Sequence, residues 1–149
     1  MTTPSKKKCY AAAMRMLVRR EHSVFELTQK LTTKEFDRVD IEQTLGLLIE
    51  QNYQSDERFT ADFIQMRFNQ GKGPIKIAVD LRQRGINSFD LSMHDFYVLA
   101  QQIRVRKFGK QIPDDYKQQA KQKRFLQSRG FDFEQINQAF RHESISKIS

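Results

Sequence analysis

Leu31-Thr32-Thr33-Lys34-Glu35-Phe36, Leu81-Arg82-Gln83-Arg84-Gly85-Ile86 and Leu126-Gln127-Ser128-Arg129-Gly130-Phe131 share one pattern: a leucine, a base three residues on and an apolar residue five on. The copies start 50 and 45 residues apart. Each follows a stretch of helical periodicity and precedes a polar cap with a short apolar-periodic segment: Asp40-Ile41 with Leu45, Asp90-Leu91, and Asp132-Phe133 with Ile136 and Phe140. One leucine ahead of a glycine marks only a helix end, where glycine takes the left-handed position without steric cost. Three in the same helix-turn-helix context read as one three-helix unit used three times. Units this small cannot bury their apolar faces alone, so they must stack. The expected fold class is all-α: three tandem three-helix, helix-turn-helix-like repeats forming an elongated, curved array. The expected division is a flexible basic N-terminus at 1–8, repeats at 9–55, 56–94 and 95–143, and a flexible tail at 144–149.

Working outward, helix punctuation is legible and strand signals are nearly absent. Ser23-Val24-Phe25-Glu26 reads as a capping box, predicting a helix from Val24 to about Lys34. Asp37 or Asp40 caps the next, whose Ile41, Leu45, Leu48 and Ile49 fall at helical spacing before Asn52, a residue that tolerates the left-handed position. Asp56 is expected to cap Glu57 to Gln70, and Gly71 to end that helix. Pro74 suits a first turn and Gly85 a position just past the end. Ser88 is read as a restart, with a break near His94-Asp95 splitting Phe89 to Phe108 into a short and a longer helix. Asp114 or Asp115 starts a helix lasting to Arg129, Gly130 ends it, and Asp132 to Gln135 repeats the capping-box signal before a last helix that fades by about His142.

Apolar residues make up 38% of the 149 and charged residues 30%, which supports folding but little deep core. The formal charge of +8 and pI near 9.7 favour polyanionic partners. Cys9 is the single cysteine, so no internal disulfide forms, and no Cys or His pair has metal-ligand spacing. After Lys6-Lys7-Lys8, the apolar stretch from Cys9 to Val18 is broken by Arg15 and closed by Arg19-Arg20-Glu21, which reads as no signal peptide. No window approaches the roughly 18 uninterrupted apolar residues of a spanning helix. A soluble cytoplasmic protein with no membrane contact is expected.

A further set of residues carries a resemblance. Ala12, Leu17, Arg20, His22-Ser23, Glu26-Leu27 and Lys30-Leu31 open it. Asn52-Tyr53-Gln54-Ser55-Asp56-Glu57-Arg58-Phe59, Arg67, Gly71-Lys72-Gly73-Pro74, Ile77, Leu81 and Gly85-Ile86 continue it. Arg106-Lys107-Phe108-Gly109, Pro113, Lys117, Ala120 and Arg124 to Phe131 complete it. In order and spacing these resemble the RecX family, regulators of RecA, from about Ala11 to Phe140. Asn52 stands where the family usually has glycine, Thr60 where alanine is common, and the connection from Ile86 to Phe108 is short. The resemblance implies a protein that lies in the groove of the RecA filament on single-stranded DNA and suppresses ATP hydrolysis, strand exchange and coprotease function, with consequences for DNA repair and the SOS response. It implies no cofactor.

The candidate contacts to the RecA filament or DNA are Lys72, Lys76, Arg104, Arg106, Lys107, Lys117, Lys121 and Arg124. From Arg104 to Arg129 nine bases face only Asp114 and Asp115. Lys117, Lys121 and Arg124, at i, i+4 and i+7, share one helix face. Lys72 and Lys76 flank the Gly71 to Pro74 turn, where free helix amides could help hold an anion, though structural punctuation is the preferred reading. It is not a Walker loop. Phe59, Phe63, Phe68, Phe96, Phe125, Phe131, Phe133 and Phe140 are read mostly as core rather than base-stacking platforms. His22, His94 and His142 are scattered, with no nucleophile elbow or H-E-x-x-H pattern, so no enzyme is expected. The alternative is a helix-turn-helix protein acting on DNA directly. That reading expects bases gathered on one recognition helix and often a dimer, whereas here the charge is spread over three unequal units and a monomer with at most weak DNA contact is expected.

Overall fold

The computed structural model describes residues 3–141, and among them it holds eight α-helices and no strand. In order these are α1 (Pro4–Arg19), α2 (Val24–Thr33), α3 (Arg38–Glu50), α4 (Asp56–Asn69), α5 (Pro74–Arg82), α6 (Phe96–Phe108), α7 (Tyr116–Ser128) and α8 (Phe133–Gln138). The described residues divide into two compact units, 3–63 with 81–89 and 64–80 with 90–141.

The repeated hexapeptide is one backbone device. The amide of the sixth residue donates to the carbonyl of the leucine: Phe36 to Leu31 at 3.2 Å, Ile86 to Leu81 at 3.0 Å, Phe131 to Leu126 at 3.3 Å. The fifth residue lies in the left-handed region, with φ of 69° at Glu35, 81° at Gly85 and 99° at Gly130. This is the Schellman end of a helix, in which the last free carbonyls find amides. Leu31, Leu81 and Leu126 are fully buried beneath it. The same turn closes α3 at Asn52 and α4 at Gly71. The turn alone therefore does not define the repeat; the order of helices does.

In the first unit, α1, α2 and α3 pack on one another around Cys9, Ala12, Ala13, Leu27, Leu31, Ile41, Leu45 and Leu48. Thr3 caps α1 by accepting the Lys6 amide, and Pro4 opens it. Lys6, Lys7 and Lys8 thus form the first turns of a helix, a correction to the expected flexible lead at 1–8. The Ser23 capping box is present, and the Ser23 hydroxyl also donates to the Arg84 carbonyl at 2.8 Å. Asp56 does not cap α4: Ser55 does, accepting the Arg58 amide, while the Asp56 carboxylate takes the Val24 amide at 2.9 Å and so anchors the start of α2.

In the second unit, α6, α7 and α8 pack on one another with Phe96, Leu99, Ala100, Ile103, Leu126, Phe131, Ile136 and Ala139 buried. Asp95 caps α6, Asp115 caps α7, and Asp132 with Gln135 forms the second capping box. Ser88 restarts no helix. Residues 87–95 are irregular because the Asp90 carboxylate takes the Ser92 amide and turns the chain instead, so the middle repeat has α4, α5 and this turn in place of a third helix. Phe133, one of the phenylalanines counted toward the core, is 77% exposed. The expected fade at His142 and the tail at 144–149 lie outside the described residues. No helix among the described residues is long and apolar enough to cross a membrane.

Candidate functional site

Two groups of bases in the second unit are candidates. The first is on α7. Its capped start at Asp115 and its Schellman end at Gly130 fix thirteen helical residues, and at 3.6 residues per turn Lys117, Lys121 and Arg124 fall on one side. All three are exposed, while Gln122 and Leu126 on the opposite side are buried. Arg106 and Lys107, also exposed, end α6. The Lys107 ammonium sits 5.3 Å over the Phe125 ring, and Phe108 meets that ring edge-on at 5.4 Å, which ties the end of α6 to α7.

Arg104 is not part of this surface. Its side chain is fully buried, and its Nε donates to the Ala139 carbonyl at 2.8 Å, with the guanidinium 5.1 Å from the Phe140 ring. Longer contacts reach the Gln122 amide oxygen and the Gly109 and Lys110 carbonyls. Burial lowers its pKa from the ordinary arginine value. It works as an internal clamp joining α6, α7 and the end of α8, and the assignment of Arg104 as a contact is corrected accordingly.

The second group forms where the turn before α5 meets the turn after α7. The Gly73 amide donates to the Arg129 carbonyl at 2.8 Å, and the Ile75 amide to the Gly130 carbonyl at 2.9 Å. A Cβ on Gly73 would stand 2.3–2.4 Å from the Gly130 and Phe131 backbone, and one on Gly130 would stand 2.5 Å from Lys76 Cβ. Only glycine allows two backbones this close. The amides of Gly73, just before α5, and of Ile75 in its first turn are therefore engaged by main-chain carbonyls. The same junction brings Lys72, Lys76 and Arg129 together, and with Arg67 nearby their charges act on one another. Partial burial first, then Arg129, Lys76 and Arg67, hold the Lys72 ammonium below its ordinary value, with Asp80 acting oppositely. Arg129 was outside the expected contact set, since its place beside Lys72 depends on a pairing of turns more than fifty residues apart.

Comparisons with known proteins follow the same order of repeats. Family models described as the first, second and third three-helix domains of RecX match residues 9–47, 55–91 and 95–140. The chain belongs to the RecX family. It is 34% identical over 148 residues to regulatory protein RecX of Vibrio vulnificus (strain CMCP6), covering 95% of this chain and 97% of the relative. It is 37% identical over 147 residues to regulatory protein RecX of Legionella pneumophila (strain Corby), covering 95% and 98%. The crystal structure of RecX from Lactobacillus salivarius superposes with a TM-score of 0.76 at 20% identity, over 91% of this chain and 94% of that one. A crystal structure titled regulatory protein RecX gives 0.76 at 22%, over 89% and 71%. The RecX fold, three tandem helical repeats, is thus shared along nearly the whole chain.

Proposed function

We propose that this RecX-family chain is a cytoplasmic regulator that binds the RecA filament on single-stranded DNA and inhibits its ATPase, recombinase and coprotease activities, and so modulates DNA repair and the SOS response. The observation that carries the reading is the match of all three repeats, in order, to regulatory proteins that the chain covers to 97% and 98% of their length. RecA as the partner follows from the family resemblance. The exposed Lys117, Lys121 and Arg124 stripe, with Arg106 and Lys107, supports it by supplying a charged face whose positive field favours a polyanionic assembly. The chain acts as a monomer, without cofactor, and by occupying a surface rather than by chemistry.

The test is ATP hydrolysis by RecA on single-stranded DNA, titrated with this chain. Half-inhibition at well below one chain per RecA is expected; no inhibition by a folded preparation would overturn the reading. Replacing Lys117, Lys121 and Arg124 together by glutamate is expected to leave the helical circular dichroism signal intact and raise the amount needed for half-inhibition at least tenfold. An unchanged titration would remove these residues from the contact.

A further inference from the structure

We propose that the junction of the α5 entry turn with the α7 exit turn is a phosphate-binding site of its own, in which Lys72, Lys76 and Arg129 hold successive phosphodiester groups of single-stranded nucleic acid in the absence of any partner protein. The proposal deepens the DNA side of the reading above and rests on it for the choice of polyanion.

Four observations support it. First, the bases arrive from three places, the loop before α5, the first turn of α5 and the end of α7, and the junction that joins them is held by two backbone hydrogen bonds of 2.8 and 2.9 Å. Their Cα positions are fixed before any ligand binds, so little backbone ordering entropy is lost on binding. Second, the three form no ion pair among the described residues; Asp80, the acidic group of the same stretch, is engaged by Arg67 at 3.2 Å. Third, the Arg129 Nε is shielded from solvent and meets no acceptor, while its guanidinium lies 5.3 Å over the Phe125 ring. A buried donor without an acceptor costs free energy, and a guanidinium with no carboxylate partner among the described residues is suited to charge-assisted bonds to an oxyanion. Fourth, the like charges around Lys72 repel one another in the free protein, and an anion placed among them relieves that repulsion.

An extended backbone suits the site better than a single small anion. Two of the amides at the α5 start, those of Gly73 and Ile75, are already bonded to the Arg129 and Gly130 carbonyls, so binding falls mainly to side chains from separate elements, each suited to one phosphate. Lys72 and Lys76 are partly exposed on a turn and a helix start, open to a strand passing over them.

The experiment is fluorescence anisotropy of fluorescein-labelled oligo-dT of 20 nucleotides with the full chain, without RecA, between 50 and 200 mM salt. Each phosphate contact on a single strand contributes about 0.7 to the slope of log K against log salt. The triple variant Lys72→Gln, Lys76→Gln and Arg129→Gln is therefore expected to lower the slope by about 2, and the affinity at low salt by tens-fold to hundreds-fold. If that variant loses its helical signal, Lys72→Gln with Lys76→Gln alone is expected to lower the slope by about 1.4. A slope unchanged in a folded variant overturns the site. Unlabelled oligo-dT displacing the probe while ATP at the same phosphate concentration does not supports the backbone assignment. Equal displacement by ATP overturns it in favour of nucleotide phosphates. Because RecA is absent, failure here leaves the ATPase test of the proposed function untouched.

Discussion

Replacing Gly73 by alanine isolates the contact that builds the basic junction. Gly73 does not lie in the left-handed region, so alanine carries no conformational penalty there. The whole effect is steric, with the new Cβ at 2.3–2.4 Å from Gly130 C and O and Phe131 N. Backbone atoms cannot swing aside as a flexible side chain would. Relief requires the turns to part, which loses the Gly73 to Arg129 and Ile75 to Gly130 hydrogen bonds at about 1 kcal/mol each and adds about 1–3 kcal/mol of overpacking. The expected loss is about 3–5 kcal/mol, read as a fall in the urea midpoint with the m-value retained. Two other glycines calibrate it. Gly109 has φ of 91° and open space around its Cβ direction, so alanine there costs only the strained backbone, about 1–3 kcal/mol. Gly46, inside α3 with nothing within 4 Å, should gain about 0.5–1 kcal/mol as alanine. A Gly73→Ala protein within about 0.5 kcal/mol of the parent would refute the close approach of the two turns.

Arg104→Ala should cost about 3 kcal/mol or more, because it opens a buried volume and strips the Ala139 carbonyl of its donor; thermal unfolding checks it, and RecA inhibition below the lowered melting temperature should be unchanged. Ser23→Ala should cost about 1–2 kcal/mol, since one hydroxyl caps α2 and binds the Arg84 carbonyl; the urea midpoint reads this. His22 supplies a pH dependence. Its Nδ1 donates to the Arg20 carbonyl and its Nε2 accepts from Lys30, each at 3.0 Å, which requires the neutral ring. Burial first, with the Arg20 and Lys30 charges adding and the Arg20 carbonyl opposing, lowers its pKa from 6.5. The unfolded chain therefore binds the proton more readily, so this contribution to stability is present above about pH 6.5 and is lost as pH falls toward the folded value. The urea midpoint should drop on acidification through this window, and His22→Gln should flatten the drop.

Much of the fold was legible because helix ends are local chemistry. Ser23 with Glu26 and Asp132 with Gln135 form the capping boxes their spacing implies, and Asn52, Gly71, Gly85 and Gly130 occupy left-handed positions. Local competition explains the misses near helix starts. Thr3-Pro4 is a capping signal hidden beside three lysines, and Asp90 stands where a helix cap is expected, although its carboxylate closes a two-residue turn. Asp56 sits where a cap belongs but serves α2, a contact 32 residues away in sequence. The site was half legible. Period alone places Lys117, Lys121 and Arg124 on one exposed face, whereas Arg104 shares the charge density of its neighbours and is buried because the carbonyl at the end of α8 needs a donor. The grouping of Arg129 with Lys72 depends on two distant glycines meeting, which no local pattern encodes.

The measurement that tests the account most directly is co-sedimentation of this chain with RecA filaments assembled on single-stranded DNA, beside the same DNA alone at equal salt. The chain is expected to pellet with the filament at physiological salt in clear excess over naked DNA, and the Lys117, Lys121 and Arg124 glutamate variant is expected to lose that excess. Pelleting equal to that on DNA alone, with RecA adding nothing, would contradict it and leave a DNA-binding protein in place of a filament regulator.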